Sequence, residues 1–151
     1  MNSTNAISAF ATLRFVGDAL EPDEISNAIK QKPTRAYRKG ERYKPGPRSP
    51  ELSGKTGIWY LSTDDVISSN DLKNHIGVLI RLISPFGDND ERLRELREII
   101  DKRNLQAHVT FFWRGAPGAE KPSMPSVDID VFKRLPADIE TDFDIENEEP
   151  P

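Results

Sequence analysis

The chain has 151 residues, of which 36% are hydrophobic and 30% are charged, the size and composition of a folded domain rather than a disordered protein. It contains no cysteine, which excludes disulfides, thiolate metal sites and cysteine nucleophiles. The polar N-terminus does not resemble a signal peptide, and the longest apolar run near the middle, residues 78–80, is far shorter than a membrane span. We therefore expect a cytoplasmic protein without membrane contact.

The first half of the chain predicts a strand, a helix and a second strand. Residues 7–16 alternate between apolar and polar side chains, with Ile7 and Phe15 on the apolar side, which is typical of a half-buried strand. Pro22 and the acids beside it open a short helix. After a weak extended segment and a proline-rich loop, the aromatic and β-branched run 57–61 predicts a buried strand.

The second half predicts three helices and two strands. Ser68 and Asp71 have the spacing of a capping box, and an apolar stripe at helical spacing follows over residues 72–83. The remaining predicted elements are a helix from Asp88, a strand over residues 107–113, a short helix over 130–135 and a last strand over 139–145. Residues 146–151 are acidic and end in prolines, so we expect a disordered tail.

This order of elements predicts an α+β fold. Each half of the chain contains a strand–helix–strand unit, and a pair of helices lies between the two halves. We therefore expect an antiparallel or mixed sheet of four to five strands with the helices mainly on one face, loosely ferredoxin-like, with split β-α-β halves. Residues 1–145 are predicted to form one domain.

Motifs of catalysis and cofactor binding are weak or absent. Residues 53–56 resemble the end of a phosphate-binding loop, but Ser49 stands where the motif requires glycine and no helix follows. His75 and His108 have no metal-ligand spacing, so each is interpreted as an ordinary half-buried side chain. The alternating aspartates near the C-terminus lack the glycine and glutamate of a calcium loop. The sequence predicts no catalytic residue, no metal and no cofactor.

Charge is distributed unevenly within the net charge of −4. Residues 30–55 hold nine basic residues against two acidic ones, whereas residues 128–151 hold nine acidic residues against two basic ones. The basic stretch also carries tyrosines, and guanidinium groups among aromatic rings suit phosphates and bases as well as acidic proteins. Three interpretations stay open: a solvated loop paired with the acidic C-terminus, a surface for an acidic protein partner, and a site for nucleic acid or small anions.

Six residues are candidate partner-binding positions. Tyr37 is expected to be accessible beside the cations. Trp59 is expected in the core on its apolar strand, and it is kept as a candidate because an exposed tryptophan there would indicate a binding motif. The full set is Arg35, Tyr37, Arg38, Lys39, Arg42 and Trp59.

Short motifs connect the chain with a known family. The most specific are Pro33-Thr34, Lys39-Gly40 and the Gly-x-Trp of residues 57–59. With the patterning over roughly residues 8–146, they resemble the bacterial domain-of-unknown-function family 4279. The resemblance implies a small bacterial cytoplasmic protein and brings no catalytic residues. By analogy, small α+β families of this kind often include immunity proteins that neutralise toxins.

The leading hypothesis is therefore a non-enzymatic protein-binding domain, of the immunity type, that binds an acidic partner through the basic segment. The main rival is a nucleic-acid-binding module that uses residues 30–48. The acidic net charge counts against this rival, because domains that bind nucleic acid usually have a basic footprint overall. An enzyme without a recognisable motif is the third hypothesis.

Overall fold

A computed structural model describes residues 6–85, 91–124 and 126–147, with the side chains of residues 126–128 left aside. The strands are β1 Ala6–Gly17, β2 Arg35–Tyr37, β3 Arg42–Tyr43, β4 Leu52–Ser53, β5 Gly57–Ser62, β6 Gln106–Gly115 and β7 Ala137–Ile145. The helices are α1 Pro22–Ile29, α2 Leu72–Ile83, α3 Glu91–Arg103 and α4 Ser126–Arg134, and a 3-10 turn spans Thr63–Asp65. Of these helices, none is long and apolar enough to cross a membrane.

Five of the strands form a mixed sheet in the order β2-β5-β1-β6-β7. The central strand β1 is antiparallel to both of its neighbours, β5 and β6, and β2 pairs antiparallel with β5 at one edge. At the other edge β7 runs parallel to β6. The short strands β3 and β4 form a separate antiparallel hairpin. The predicted α+β fold with a mixed sheet is confirmed.

The split β-α-β arrangement is present in the first half of the chain. β1 and β2 are both antiparallel to β5, which lies between them, and α1 connects them. In the second half β6 and β7 are direct neighbours joined by α4, so this unit is not split. The helical pair α2 and α3 lies between the two halves in the chain, as predicted.

The hydrophobic core lies between the sheet and the helices. Alternate residues of the inner strands point into it, among them Phe15, Trp59 and Phe111, and every helix contributes buried side chains. The Phe15 and Trp59 rings meet edge to face at 5.9 Å, and Phe111 meets Phe132 of α4 at 5.6 Å. The helices therefore pack on one face of the sheet, as predicted.

Two local predictions at the ends of elements are wrong. Ile7 is exposed, because a β-bulge between Ala6 and Ser8 interrupts the alternation of β1. The N-cap of α2 is Asp71, whose carboxylate accepts a hydrogen bond from the backbone N–H of Lys73 at 3.0 Å, so the capping box predicted from Ser68 is not formed.

The described residues include the start of the predicted C-terminal tail. The backbone N–H of Glu146 donates to the Gly115 carbonyl at 2.8 Å, and its carboxylate accepts from the Arg114 guanidinium at 2.6 Å. The first tail residue is therefore attached to β6. Residues 148–151 lie outside the described part of the chain, as does the predicted start of α3 at Asp88.

Candidate functional site

Residues 30–55, which we call the basic edge, lie along one side of the sheet. They include the edge strand β2 and the β3–β4 hairpin. The Tyr37 and Tyr43 rings stack with 4.2 Å between their centroids and 7° between their planes, which ties the hairpin to β2. Gly54 makes room for this stack, because a Cβ there would lie 2.5 Å from the Tyr37 ring. The hairpin is thus fixed to the sheet by packing.

Two of the six candidate residues are inaccessible to a partner. Tyr37 is only 8% exposed, so the expectation of an accessible ring is wrong, because the stack with Tyr43 covers it. Burial, with the neighbouring Tyr43, raises the pKa of the Tyr37 hydroxyl. Trp59 is fully buried, as its apolar strand predicted, and its Nε1 donates to Ser26 Oγ at 3.0 Å. Neither ring offers a contact surface.

Three of the candidate cations pair with carboxylates nearby. The pairs are Arg38 Nε with Glu21 Oε2 at 2.7 Å, Lys39 Nζ with Asp18 Oδ2 at 3.1 Å, and Arg42 Nη1 with Glu51 Oε2 at 3.4 Å. The hydrogen bond to Glu21 raises the pKa of Arg38, while hydrogen bonds from Thr56 and then Lys39 lower the pKa of Asp18. Because solvent screens these exposed pairs, they contribute little to the stability of the fold. They also reduce the charge available to a partner.

The other cations of the basic edge have no carboxylate partner among the residues that the structure describes. Arg35 donates from Nη2 to the Pro45 carbonyl at 3.1 Å, and its guanidinium is exposed. Five more exposed cations form no ion pair within the described part of the chain: Lys30, Lys32, Lys44, Arg48 and Lys55. Among the candidates predicted from sequence, Arg35 is thus the cation most available to a ligand.

The acidic residues near the C-terminus lie at the opposite edge of the sheet. β7 occupies that edge, and its carboxylates alternate on the face away from the helices: Asp138, Glu140, Asp142 and Asp144. β5, β1 and β6 separate them from β2. The interpretation that the basic loop pairs with the acidic C-terminus is therefore wrong for these residues, and the sheet is basic at one edge and acidic at the other.

The face of the sheet opposite the helices carries side chains in cross-strand rows. One row runs across all five strands: Arg35, Tyr60, Arg14, His108 and Asp138. The next row has small residues in the middle: Ser62, Thr12, Thr110 and Glu140. The third row is aromatic and acidic: Phe10, Phe112 and Asp142. The Phe10 and Phe112 rings stack at 4.4 Å.

A depression of about 390 Å³, which we call the sheet trough, lies over the row of small residues. Its lining residues are Thr12, Arg14, Tyr60, His108, Thr110, Phe112, Glu140, Thr141 and Asp142. The volume falls in the lower part of the range for small-molecule sites. This site has no signature in the sequence, because its residues come from four strands that are distant in the chain and carry no shared motif.

Arg14 lies on the central strand at one side of the sheet trough. Its guanidinium is exposed and has no hydrogen bond or ion pair within the described residues. Tyr60 and His108 are its cross-strand neighbours. Burial raises the pKa of the Tyr60 hydroxyl. His108 Nδ1 is 3.8 Å from Asp138 Oδ2, beyond hydrogen-bond distance.

The two histidines have different environments. His75 is fully buried, with Nδ1 2.7 Å from Thr63 Oγ1 and Nε2 2.8 Å from the Ser69 carbonyl oxygen, so the expectation of a half-buried side chain is wrong for it. His108 is half-buried, as expected. Within the described ranges, no group of three or more histidine or acidic side chains is placed to hold a metal ion.

Comparison with known protein families identifies a match. A family described as Domain of unknown function (DUF4279) matches residues 5–146, nearly the whole chain. Neither the comparison with curated proteins nor the comparison with solved structures finds a match.

Proposed function

We propose that this chain, which belongs to the DUF4279 family of domains of unknown function, is a non-enzymatic domain that binds an acidic protein partner through its basic edge. One observation carries the proposal. Six exposed cations of the basic edge have no carboxylate partner among the described residues, while the acids of β7 lie at the far edge of the sheet. The fold thus leaves positive charge available for an acidic surface.

Preorganisation of the basic edge supports this function. The Tyr37–Tyr43 stack fixes the β3–β4 hairpin, and Thr34 Oγ1 accepts a hydrogen bond from the Ser62 backbone N–H at 2.9 Å, which fixes the start of β2. A surface that is ordered before binding loses less conformational entropy when a partner binds. Arg35 is the proposed anchor, because arginine is enriched among the residues that dominate binding energy.

The accessible groups favour a protein over a nucleic acid. Single-stranded nucleic acids bind by stacking bases on aromatic side chains beside cations. Tyr37 is buried, and its ring occupies one face of Tyr43. The net charge of −4 also repels phosphate. In the narrower form of this proposal, the chain is an immunity protein that binds one toxin, and it therefore has a single specific partner.

The test compares two double charge reversals in a pull-down from extracts of cells that make the protein. Arg35→Glu/Lys44→Glu changes two unpaired cations of the basic edge. Arg97→Glu/Lys73→Glu is the matched control, since both residues are exposed cations on helices and the change in net charge is the same. We expect the first variant to lose the retained partner by at least about tenfold and the control to keep it. Equal retention by both variants would contradict the proposal.

A nucleic-acid titration separates the rival hypothesis. Labelled single- and double-stranded DNA and RNA are titrated at low and moderate salt. We expect negligible binding at physiological salt. Binding that falls steeply with salt, and that Arg35→Glu/Lys44→Glu abolishes, would replace the protein partner with a nucleic acid.

A further inference from the structure

The shape of the sheet trough follows from side-chain size. Thr12 and Thr110 are small and lie side by side on β1 and β6. The larger side chains of Arg14 and His108 flank them on one side, and Phe112 with its stacking partner flanks them on the other. A row of small residues between two rows of large ones leaves a channel across the strands. The β-sheet backbone therefore holds this site in a fixed shape.

Opposite charges line the sheet trough without neutralising each other. Arg14 lies on β1, whereas Glu140 and Asp142 lie on β7. Two inter-strand spacings, or about 10 Å, separate the backbones of β1 and β7. None of the three side chains forms an ion pair within the described ranges. A ligand that enters the trough meets a positive group at one side and a negative pair at the other.

The charges and the length of the sheet trough determine which class of ligand fits it. A simple anion would be repelled by Glu140 and Asp142, and a simple cation would be repelled by Arg14. A zwitterion long enough to bridge the roughly 10 Å between the backbones of β1 and β7 would satisfy both sides. An extended peptide spans about 3.3–3.6 Å per residue, so a free tripeptide has about this length.

We infer that the sheet trough binds a short zwitterionic ligand, of the size of a tripeptide. Its carboxylate pairs with Arg14 and its ammonium group pairs with Glu140 and Asp142. The Thr12 and Thr110 hydroxyls on the floor hydrogen-bond the ligand backbone, and Phe112 packs against an apolar side chain in the middle. This site goes beyond the proposed protein-binding function and is lined by none of the cations assigned to the basic edge, so either can fail alone.

The first experiment titrates the full chain with the tripeptide Ala-Phe-Ala by calorimetry. The same peptide with an acetylated N-terminus, or with an amidated C-terminus, lacks one of the two charges. We expect the free peptide to bind and each blocked peptide to bind at least about tenfold more weakly, because each loses a charge-assisted hydrogen bond. Absence of binding by the free peptide, or equal binding by all three, would overturn the inference.

The second experiment uses variants with matched controls. Arg14→Gln should weaken Ala-Phe-Ala binding by at least about tenfold. Arg114→Gln, on the same sheet face but outside the trough and paired with Glu146, should leave it within about twofold. Glu140→Gln should also weaken binding, whereas Asp144→Asn, four positions further along β7 and outside the trough lining, should not. Thermal melts show that each variant is folded.

Titration with inorganic phosphate tests the alternative that the sheet trough is a simple anion site. In a simple anion site, phosphate would bind in an Arg14-dependent manner and Glu140→Gln would tighten it, because a repelling carboxylate is lost. That result would overturn the inference. Equal loss of peptide binding in Arg14→Gln and Arg114→Gln would overturn it as well, since it would reflect net charge alone.

Discussion

The basic edge and the sheet trough present positive charge in different ways. The basic edge holds nine cations, of which Arg38, Lys39 and Arg42 are paired with carboxylates. The sheet trough has Arg14, which has no such partner in the described residues although acids line the same depression. Two of the neutralising acids at the edge, Asp18 and Glu21, come from the segment before α1 and are brought in by the fold. The density of charge along a sequence thus differs from the charge that a folded surface makes available.

We expect the largest loss of stability from replacing Tyr37, whose ring supports the basic edge but does not line the sheet trough. Tyr37→Ala removes a buried ring that ties the hairpin to β2, so we expect the free energy of unfolding to fall by about 2–4 kcal/mol. Chemical denaturation measures this loss, and Tyr37→Phe, which keeps the ring, should cost less than about 1 kcal/mol. The residues that line the trough come from β1, β5, β6 and β7 and not from β2 or the hairpin, so Ala-Phe-Ala binding should be preserved in both variants. Loss of peptide binding in Tyr37→Ala would show that the two regions are coupled.

An ion pair outside both regions provides a comparison for how much the exposed pairs of the basic edge contribute to stability. Arg103, and then Lys102, hold the pKa of Glu24 well below its usual range, at about 2. Both nitrogens of the Arg103 fork lie 2.9 Å from the Glu24 carboxylate, whose side chain is 28% exposed. Allowing for solvent screening, we expect Glu24→Gln to cost about 1–2 kcal/mol at neutral pH.

The same pair predicts a pH dependence with a definite sign. Because the pKa of Glu24 is lower in the folded chain than its ordinary value of 4.5, the contribution is complete above pH 4.5 and is lost as the pH falls toward about 2. The difference in stability between the parent chain and Glu24→Gln should therefore shrink across this window. Denaturation curves at neutral pH and at stepwise lower pH measure it, and a constant difference would contradict the assignment.

Replacing Glu21, for which we expect the smallest effect, tests whether paired and unpaired cations differ in their contribution to binding. Glu21→Gln removes the carboxylate that pairs with Arg38, and because solvent screens this exposed pair, stability should fall only slightly. The same change frees a cation on the basic edge, and affinity for the acidic partner should rise about two- to threefold. Denaturation and a binding titration measure the two quantities. A fall in affinity would show that Glu21 positions Arg38 for binding.

Much of the fold could be predicted because its signals are local. The alternation in β1 and β6 and the apolar stripes of α1 and α2 depend on neighbours within a few residues, and the structure confirms them. The position of β7 beside β6 depends on contacts between distant segments, which a local pattern does not encode. β3 and β4 are each two residues long, which is too short for a strand pattern in the sequence. They are stabilised instead by the Tyr37–Tyr43 stack.

The motifs that indicated the family turn out to serve the fold. Thr34 joins the start of β2 to Ser62 and to the Asp65 carboxylate. Gly40 has a φ of 82°, a left-handed conformation that favours glycine, in the turn after β2. Trp59 lies in the core. The family resemblance therefore identified an architecture, and it could not identify a binding surface, because its specific residues hold strands and turns together.

The candidate site was only partly predictable. The basic edge is continuous in sequence, and Arg35 could be selected from it, but the pairing of Arg38 and Lys39 depends on where α1 starts. Arg14 and Glu140 face the same depression because β6 lies between their strands. Arg14 is a single arginine at a polar position of an alternating strand, so the sequence contains no signal that it lines a site together with Glu140.

We propose that unpaired cations, rather than the number of cations, determine where the partner binds. The affinity of the captured partner is measured for two double variants that remove the same charge, Arg35→Gln/Lys44→Gln and Arg38→Gln/Arg42→Gln. We expect a loss of at least about tenfold for the unpaired set and less than about threefold for the paired set. An equal loss in both variants, or a larger loss in the paired set, would contradict it.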